Sequence, residues 1–284
     1  MGGREDSRAS VDRMTILVTG ATANIGRKVV DQLVAQGANS IRALTTDPKK
    51  AALPAGVEVA EGYLRRPDTL PAAFEGVERM YLAPAPENVT EVLALARAAG
   101  VRRVVDLSGE PESWWGTVCT AVEESGLDWT HLWPADFMEN TLIWSQQIRE
   151  TGAVREPWPN AASAPVAMDD IAAVAATALL SDTHSGRAYP LAGPEVLSRT
   201  ELLDRIASAL GRDLRFEESS RAETIAALTP TMGDNAEWYV DNVLGGYQPD
   251  PSSLPVTSVQ DITGRPATTF TQWAAGNAGR FVTG

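Results

Sequence analysis

The sequence predicts an α/β fold: a doubly wound parallel sheet of the Rossmann type, followed by a small α+β carboxyl-terminal lid region. Three observations carry this reading. The apolar run Thr15-Ile16-Leu17-Val18 ends in a glycine turn that opens straight into a helical pattern. Strand-like and helix-like segments then alternate at βαβ spacing as far as Trp133. Beyond about residue 150 that rhythm gives way to short strands mixed with helices.

Taken in order, Val29, Val30, Leu33 and Val34 recur at helical spacing after the turn, so Arg27–Gly37 reads as the first helix. Ser40–Thr46 is a second strand, punctuated by Asp47-Pro48, and Val57–Ala60 is a third. Asp68 is expected to cap a helix through Phe74, and Val77–Ala83 to be a fourth strand stopped by Pro84 and Pro86. Asn88–Ala99 alternates at helical period and Gly100 closes it. Val101–Gly109 is a fifth strand, Trp115–Ser125 a helix and Leu127–Trp133 a sixth strand. A helix over Phe137–Gln147 follows. In the second half, strands are expected at Ala164–Met168, Arg187–Leu191 and Leu214–Glu217, with helices at Asp169–Leu180, Thr200–Leu210 and Arg221–Leu228. The organisation expected is a disordered leader over residues 1–13, a dinucleotide-binding core over 14–150 and a substrate-binding lid over 151–284. Ligands of such sheets bind outside the carboxyl ends of the strands.

The turn Gly20-Ala21-Thr22-Ala23-Asn24-Ile25-Gly26 has the makings of a pyrophosphate cradle. Gly20 turns the chain, a small residue at 23 admits phosphate to the backbone, and Gly26 lets helix pack on strand. Helix-end N–H groups then face the anion. The methyl group of Ala23 crowds the place where phosphate comes nearest.

Bulk composition narrows the partners. Hydrophobic residues make up 44% and charged residues 21% of 284, the mixture of a soluble globule. A formal net charge of −13 repels nucleic acid and anionic membrane. Cys119 is the single cysteine, which excludes an internal disulfide and suits a reducing, cytoplasmic setting. No apolar run approaches the roughly 18 residues of a membrane span. The leader carries no hydrophobic core of a secretory signal. A monomer or homodimer is expected.

With these residues placed, the chain resembles the NmrA-like branch of the atypical short-chain dehydrogenases/reductases. The resemblance rests on Val18–Gly26, Arg42-Ala43-Leu44 with Asp47-Pro48, Ser125–Thr130, Pro134–Asn140, Asp170-Ile171-Ala172, Leu191–Glu195 and Thr263-Gly264-Arg265-Pro266. It runs from about Thr15 to Phe281. It implies an NADP(H)- or NAD(H)-binding core, NADP(H) slightly favoured, with Gly20, Thr22, Ala23, Asn24, Ile25, Gly26, Thr45, Thr46, Tyr63, Leu64, Ala83 and Pro84 around the cofactor. Three departures stand out. Thr46 replaces the arginine that grips a 2′-phosphate in NADPH-preferring members, with Lys49 or Lys50 read either as a substitute or as solvated helix-start charge. Tyr63 replaces an acidic residue beside adenine, to stack on the base or pack on the neighbouring strand. No tyrosine is followed four residues later by lysine, so the familiar proton-donating pair is missing.

Candidate chemistry falls on four residues. The resemblance places the Ser108 hydroxyl near substrate, against a turn or cap role, and Cys119 where relatives carry histidine or lysine, against simple filling. Asp136 follows the sixth strand and reads either as the cap of the next helix or as an acid–base group with a raised pKa. His131, between Trp129 and Trp133, reads as a packing residue or a catalytic one. No His/Cys/Asp/Glu group has linear metal-ligand spacing, so no metal is expected. Trp114, Trp115, Trp144, Trp158 and Trp238, with Phe137 and Met138, are expected to line a flat apolar substrate pocket.

Three functions compete at this stage. The first is an NAD(P)H-dependent reductase of a hydrophobic carbonyl, quinone or enone, in specialised natural-product metabolism. The second is a non-redox isomerase, dehydratase or cyclase using acid–base residues. The third is an NAD(P)-sensing regulatory protein.

Overall fold

The structure is a computed structural model and describes residues 14–113, 115–245 and 258–282. The expected leader, Trp114 and most of the Pro/Gly/Ser-rich stretch 245–255 lie outside the described residues.

The first half follows the expected alternation: β1 (Thr15–Val18), α1 (Asn24–Ala35), β2 (Ile41–Thr45), β3 (Glu58–Glu61), α2 (Pro71–Phe74), β4 (Val77–Leu82), α3 (Val89–Ala98), β5 (Arg103–Leu107), α4 (Gly116–Glu124) and β6 (Asp128–Pro134). The second half holds α5 (Ser145–Thr151), β7 (Ala153–Glu156), β8 (Ala162–Ser163), α6 (Met168–Leu180), β9 (Arg187–Leu191), β10 (Leu197–Ser198), α7 (Arg199–Leu210), β11 (Arg215–Glu218), α8 (Arg221–Met232), α9 (Asn235–Tyr239), α10 (Ser258–Thr263) and α11 (Phe270–Val282).

Seven strands form one sheet in the order β3-β2-β1-β4-β5-β6-β9. Every pairing from β3 to β6 is parallel. All five residues of β5 are buried, as a central strand covered on both faces requires. Its neighbours α3 and α4 lay Val92, Leu93, Ala96, Val118 and Val122 into the core that Met80, Leu82 and Val104 share. At the amino ends of β4 and β5, Arg79 and Arg103 both reach Asp182, at 2.6 and 2.8 Å.

Two compact units emerge, residues up to Leu132 with Ala175–Ala188, and Trp133–Val174 with Tyr189 onward. The chain therefore changes unit within β6, α6 and β9, which a single cut at residue 150 does not express. The second unit has its own core, where Met138, Trp144, Ile148, Leu203, Ile206, Phe270 and Trp273 pack together.

Several local expectations need correction. Asp68 caps nothing: Pro67–Thr69 is a 3-10 turn and α2 starts at Pro71, whose fixed φ suits a first helical position. No strand covers Ala164–Met168; Pro165 lacks an N–H, Val166 makes one bridge to Phe137, and α6 begins at Met168. The expected helix over Phe137–Gln147 divides into a 3-10 segment, Met138–Trp144, and α5.

Asp170 does more than start a helix. Fully buried in the first turn of α6, it takes Arg265 Nη1 at 2.7 Å, the Thr268 amide at 2.7 Å and the Thr268 hydroxyl at 3.2 Å. Replacing Asp170 by alanine strands three donors at once and is expected to cost about 3 kcal/mol. Chemical denaturation of the variant checks this; a loss below about 1 kcal/mol would show that water replaces the carboxylate.

Candidate functional site

The turn between β1 and α1 is built as the sequence requires. Gly20 adopts φ +60°, a conformation that L side chains rarely take. A Cβ on Gly26 would stand 2.1 Å from the Gly20 carbonyl oxygen, so backbone meets backbone with no room for a methyl group. No side chain caps α1, and no acidic residue occupies its first turn. Its first N–H groups and positive dipole end are thus left to an external anion. Thr22, Ala23 and Asn24 are exposed while Ile25 and Gly26 are buried, which anchors the helix and opens the loop.

The neighbouring strand ends close around this turn. The Ala21 amide donates to Leu44 O at 3.2 Å, and the Thr22 and Thr45 hydroxyls lie 3.2 Å apart. The Gly62 amide donates to Thr45 O, which sets Tyr63 and Leu64 beside the end of β2. Tyr63 is 42% exposed, whereas Leu64 is buried. Thr46 is exposed. Thr19, which sequence reasoning missed, fastens β1 to β4: its hydroxyl donates to Tyr81 O at 2.9 Å and accepts the Ala83 amide at 2.8 Å. That bond holds Ala83, and Pro84 after it, at the turn's edge.

Further along the same unit, Ser108 is buried at the end of β5 and Trp115 is 38% exposed at the start of α4. Cys119 is buried, and burial, with Glu123 and Asp106 nearby, pushes its thiol up to about 11. A thiol that holds its proton at neutral pH is a poor nucleophile. His131 is fully buried, stacked on Trp129 with centroids 4.2 Å apart, and its Nδ1 lies 2.7 Å from Asp106 Oδ2. Asp106 is the second missed residue. Burial pushes its carboxyl up, and the hydrogen bond and charge of His131 pull back against that.

In the other unit, a small cavity of about 30 Å³ is bounded by Asp136, Asn140, Trp144, Glu156, Ser163, Arg199 and Tyr239, among others. That is room for water rather than for a substrate. Asp136 caps no helix. Its carboxylate accepts Asn140 Nδ2 at 2.6 Å and the Ser163 hydroxyl at 3.2 Å, and burial pushes its pKa up. Glu156, also missed, is 2% exposed and raised by burial. It accepts the Trp144 indole N–H at 2.7 Å and Arg199 Nη1 at 2.9 Å. Arg199 Nη2 continues to Leu244 O at 2.8 Å. The Tyr239 hydroxyl is raised by burial and by both carboxylates.

The expected aromatic pocket is only partly assembled. Trp144 is 3% exposed, edges the small cavity and spends its N–H on Glu156. Met138 is a core residue at 1% exposure, a correction to its expected place against substrate. Trp158, at φ +57°, packs on the cluster of Leu228, Ala236, Val240 and Leu244. Phe137 is half-buried and bridges to Val166, and Trp238 is 45% exposed on α9. Among the described residues no helix is long and apolar enough to cross a membrane.

Comparison with known proteins bears on this geometry. A family described as NAD(P)H-binding matches residues 20–110, the stretch that holds the turn and its neighbouring strand ends. Over 286 residues the chain is 36% identical to the (4-alkanoyl-5-oxo-2,5-dihydrofuran-3-yl)methyl phosphate reductase of Streptomyces griseus, covering 94% of this chain and 99% of that protein. Over 287 residues it is 35% identical to the NAD(P)H azoreductase of Xenophilus azovorans, with the same coverage. The crystal structure of an NADPH-dependent quinone oxidoreductase of Escherichia coli, complexed with NADPH, superposes with a TM-score of 0.80 at 25% identity, over 93% of this chain and 99% of that one.

Proposed function

The chain belongs to the NAD(P)H-binding, NmrA-like family of atypical short-chain dehydrogenases/reductases, and from that premise we propose that it reduces a flat, conjugated, electron-poor double bond in a small hydrophobic substrate. The protein is an NAD(P)H-dependent reductase. The names of its relatives share one chemical feature. An azo group, a quinone and an alkanoyl-substituted oxo-dihydrofuran each contain a π bond ending on an electronegative atom, nitrogen or oxygen. Such an acceptor takes a hydride at its electron-poor end and a proton at the other.

The observation that carries the reading is the glycine-closed, uncapped start of α1. Residues Gly20–Gly26 fit a pyrophosphate, with Thr22 and Thr45 at the rim and Tyr63 exposed for stacking on adenine. When bound there, the nicotinamide supplies the hydride. The chain's own share is orientation and electrostatics. For the 2′-phosphate, Lys49 and Lys50 on the turn after β2 stand in for the missing arginine; Lys50 already sits 3.2 Å from Asp47. NADP(H) is accordingly the preferred cofactor. Quenching of tryptophan fluorescence by NADPH at lower concentration than by NADH supports that preference, and equal titration curves refute it.

Asp136 is the acid we assign to the proton step, acting through water in the small cavity it lines. It stands two residues past the end of β6, and burial favours its neutral, proton-bearing form. Asp136→Asn is expected to lower kcat by about 10²–10⁴-fold while NADPH affinity stays unchanged. A kcat within a factor of about three would remove Asp136 from the chemistry and leave water as the donor. The reductase reading itself is tested by NADPH oxidation across a panel of quinones, enones and azo compounds; silence across the panel counts against this substrate class.

A further inference from the structure

Linear spacing gives no metal motif, yet the fold gathers one. Helix α4 sets Cys119 and Glu123 four residues apart, hence on one face, and β6 carries His131 beneath that face. The thiol sulfur, a Glu123 carboxylate oxygen and an imidazole nitrogen all lie within 4.8 Å of one another. Cys119 and His131 are buried, and Glu123 closes the group from the exposed side.

The orientation of His131 supplies the independent observation. Asp106 and His131 are direct partners in the β5–β6 register, and Asp106 Oδ2 lies 2.7 Å from His131 Nδ1. Nε2 faces the other way, 3.6 Å from Glu123 Oε1. The bond to Asp106 fixes the ring plane, and with the proton on Nδ1 it leaves Nε2 as the basic nitrogen, the usual support of a metal-bound imidazole. In most buried histidines that partner is enough to satisfy the ring. Here the second nitrogen also faces the Glu123 carboxylate, and an imidazole nitrogen lies within 4.8 Å of the Cys119 sulfur.

We propose that Cys119, Glu123 and His131 bind a divalent transition-metal ion of the zinc class, with Asp106 orienting His131. The sulfur–nitrogen–oxygen donor set suits zinc, whereas magnesium and calcium ask for oxygen alone. Tetrahedral bonds of about 2.0–2.3 Å place donor atoms roughly 3.3–3.8 Å apart, so the group must contract by about 1.5 Å at most. Glu123, with its side chain about half exposed, is the ligand free to move inward. Three protein ligands leave a fourth position for water on the exposed side. Occupancy ties α4 to β6 and requires nothing of the nicotinamide site.

The test uses the full-length, reduced and metal-stripped protein with Co²⁺ as the spectroscopic probe. One equivalent is expected to produce a thiolate-to-cobalt charge-transfer band in the near ultraviolet, and Zn²⁺ to displace it. Cys119→Ser removes the band. Glu123→Gln, at an exposed position that does not threaten folding, weakens Zn²⁺ binding by at least about tenfold, and Asp106→Asn by about 10–100-fold. Absence of a thiolate band at excess Co²⁺ overturns the site. So does a band that survives Cys119→Ser, or an unchanged calorimetric Zn²⁺ affinity in Glu123→Gln.

Discussion

Gly26→Ala is expected to destroy cofactor binding and to destabilise the fold together. The added methyl carbon meets the Gly20 carbonyl oxygen at 2.1 Å, its carbon at 2.6 Å and the Thr19 oxygen at 3.1 Å. All three atoms are backbone, so no side chain can swing aside. Either α1 backs away from β1 or the turn opens. Both movements displace the amide groups that face the pyrophosphate. Loss of one or two charge-assisted hydrogen bonds, each about 1.5–3 kcal/mol, lowers NADPH affinity by roughly tenfold to 10⁴-fold. Overpacking adds about 3 kcal/mol of destabilisation. Gly37→Ala is the control, because Gly37, unlike the helical Gly26, has positive φ (+80°) and has nothing within 4 Å of an added Cβ. That variant should be strained yet bind NADPH normally. A Gly26→Ala protein with wild-type NADPH affinity in fluorescence titration would dissociate the turn from the cofactor and undo the functional reading at its base.

This part of the molecule was legible because its causes are local. The strand, the two glycines and the apolar spacing of α1 lie within about twenty residues, and each constrains the backbone directly. The Asp106–His131 pair was half legible. Each is a polar residue inside an apolar strand, and placing the two strands side by side in parallel puts them in register. What the sequence lacks is the rule that pairs them, since β6 could have met β5 one residue out of step and turned His131 to the opposite face. Glu156 and Arg199 were not legible. They stand 43 residues apart, at the last residue of β7 and the first residue of α7, and only tertiary folding brings them to 2.9 Å. Asp136 was recognised as a residue of consequence, but its partners Asn140 and Ser163 were not, so its role as a cap was overvalued. The tryptophans misled for a related reason: a large aromatic ring serves a core and a pocket equally, and Trp144 joins the core while reaching the cavity only at its edge.

Breaking the Glu156–Arg199 pair is expected to be the most destabilising charge deletion in the second unit. In Arg199→Met the hydrocarbon volume stays, while Glu156 retains only the Trp144 indole N–H and the Leu244 carbonyl loses its donor. A buried carboxylate stripped of its cation costs about 3–5 kcal/mol, a fall in Tm on the order of 10 °C. The sign of its pH dependence follows from Glu156. Burial already holds its folded pKa above the unfolded value of 4.5, so its contribution to stability is full below that value and lost as pH rises through the folded one. Removing Arg199, whose charge pulls both Glu156 and Asp136 down, drives the folded values further up. The deficit of Arg199→Met should therefore be small near pH 4.5, where Glu156 can remain protonated, and widen as pH rises toward 8. Adding Glu156→Gln removes the ionisable partner and keeps an acceptor for Trp144, so the double variant should recover much of the loss and show a flatter Tm profile. Whatever slope persists in it belongs to Asp136. Thermal melts of the single and double variants at several pH values decide the matter: a deficit that is the same at pH 5 and pH 8, or untouched by Glu156→Gln, would mean that Arg199 stabilises this unit through its packing and its bond to Leu244 rather than by neutralising a buried carboxylate.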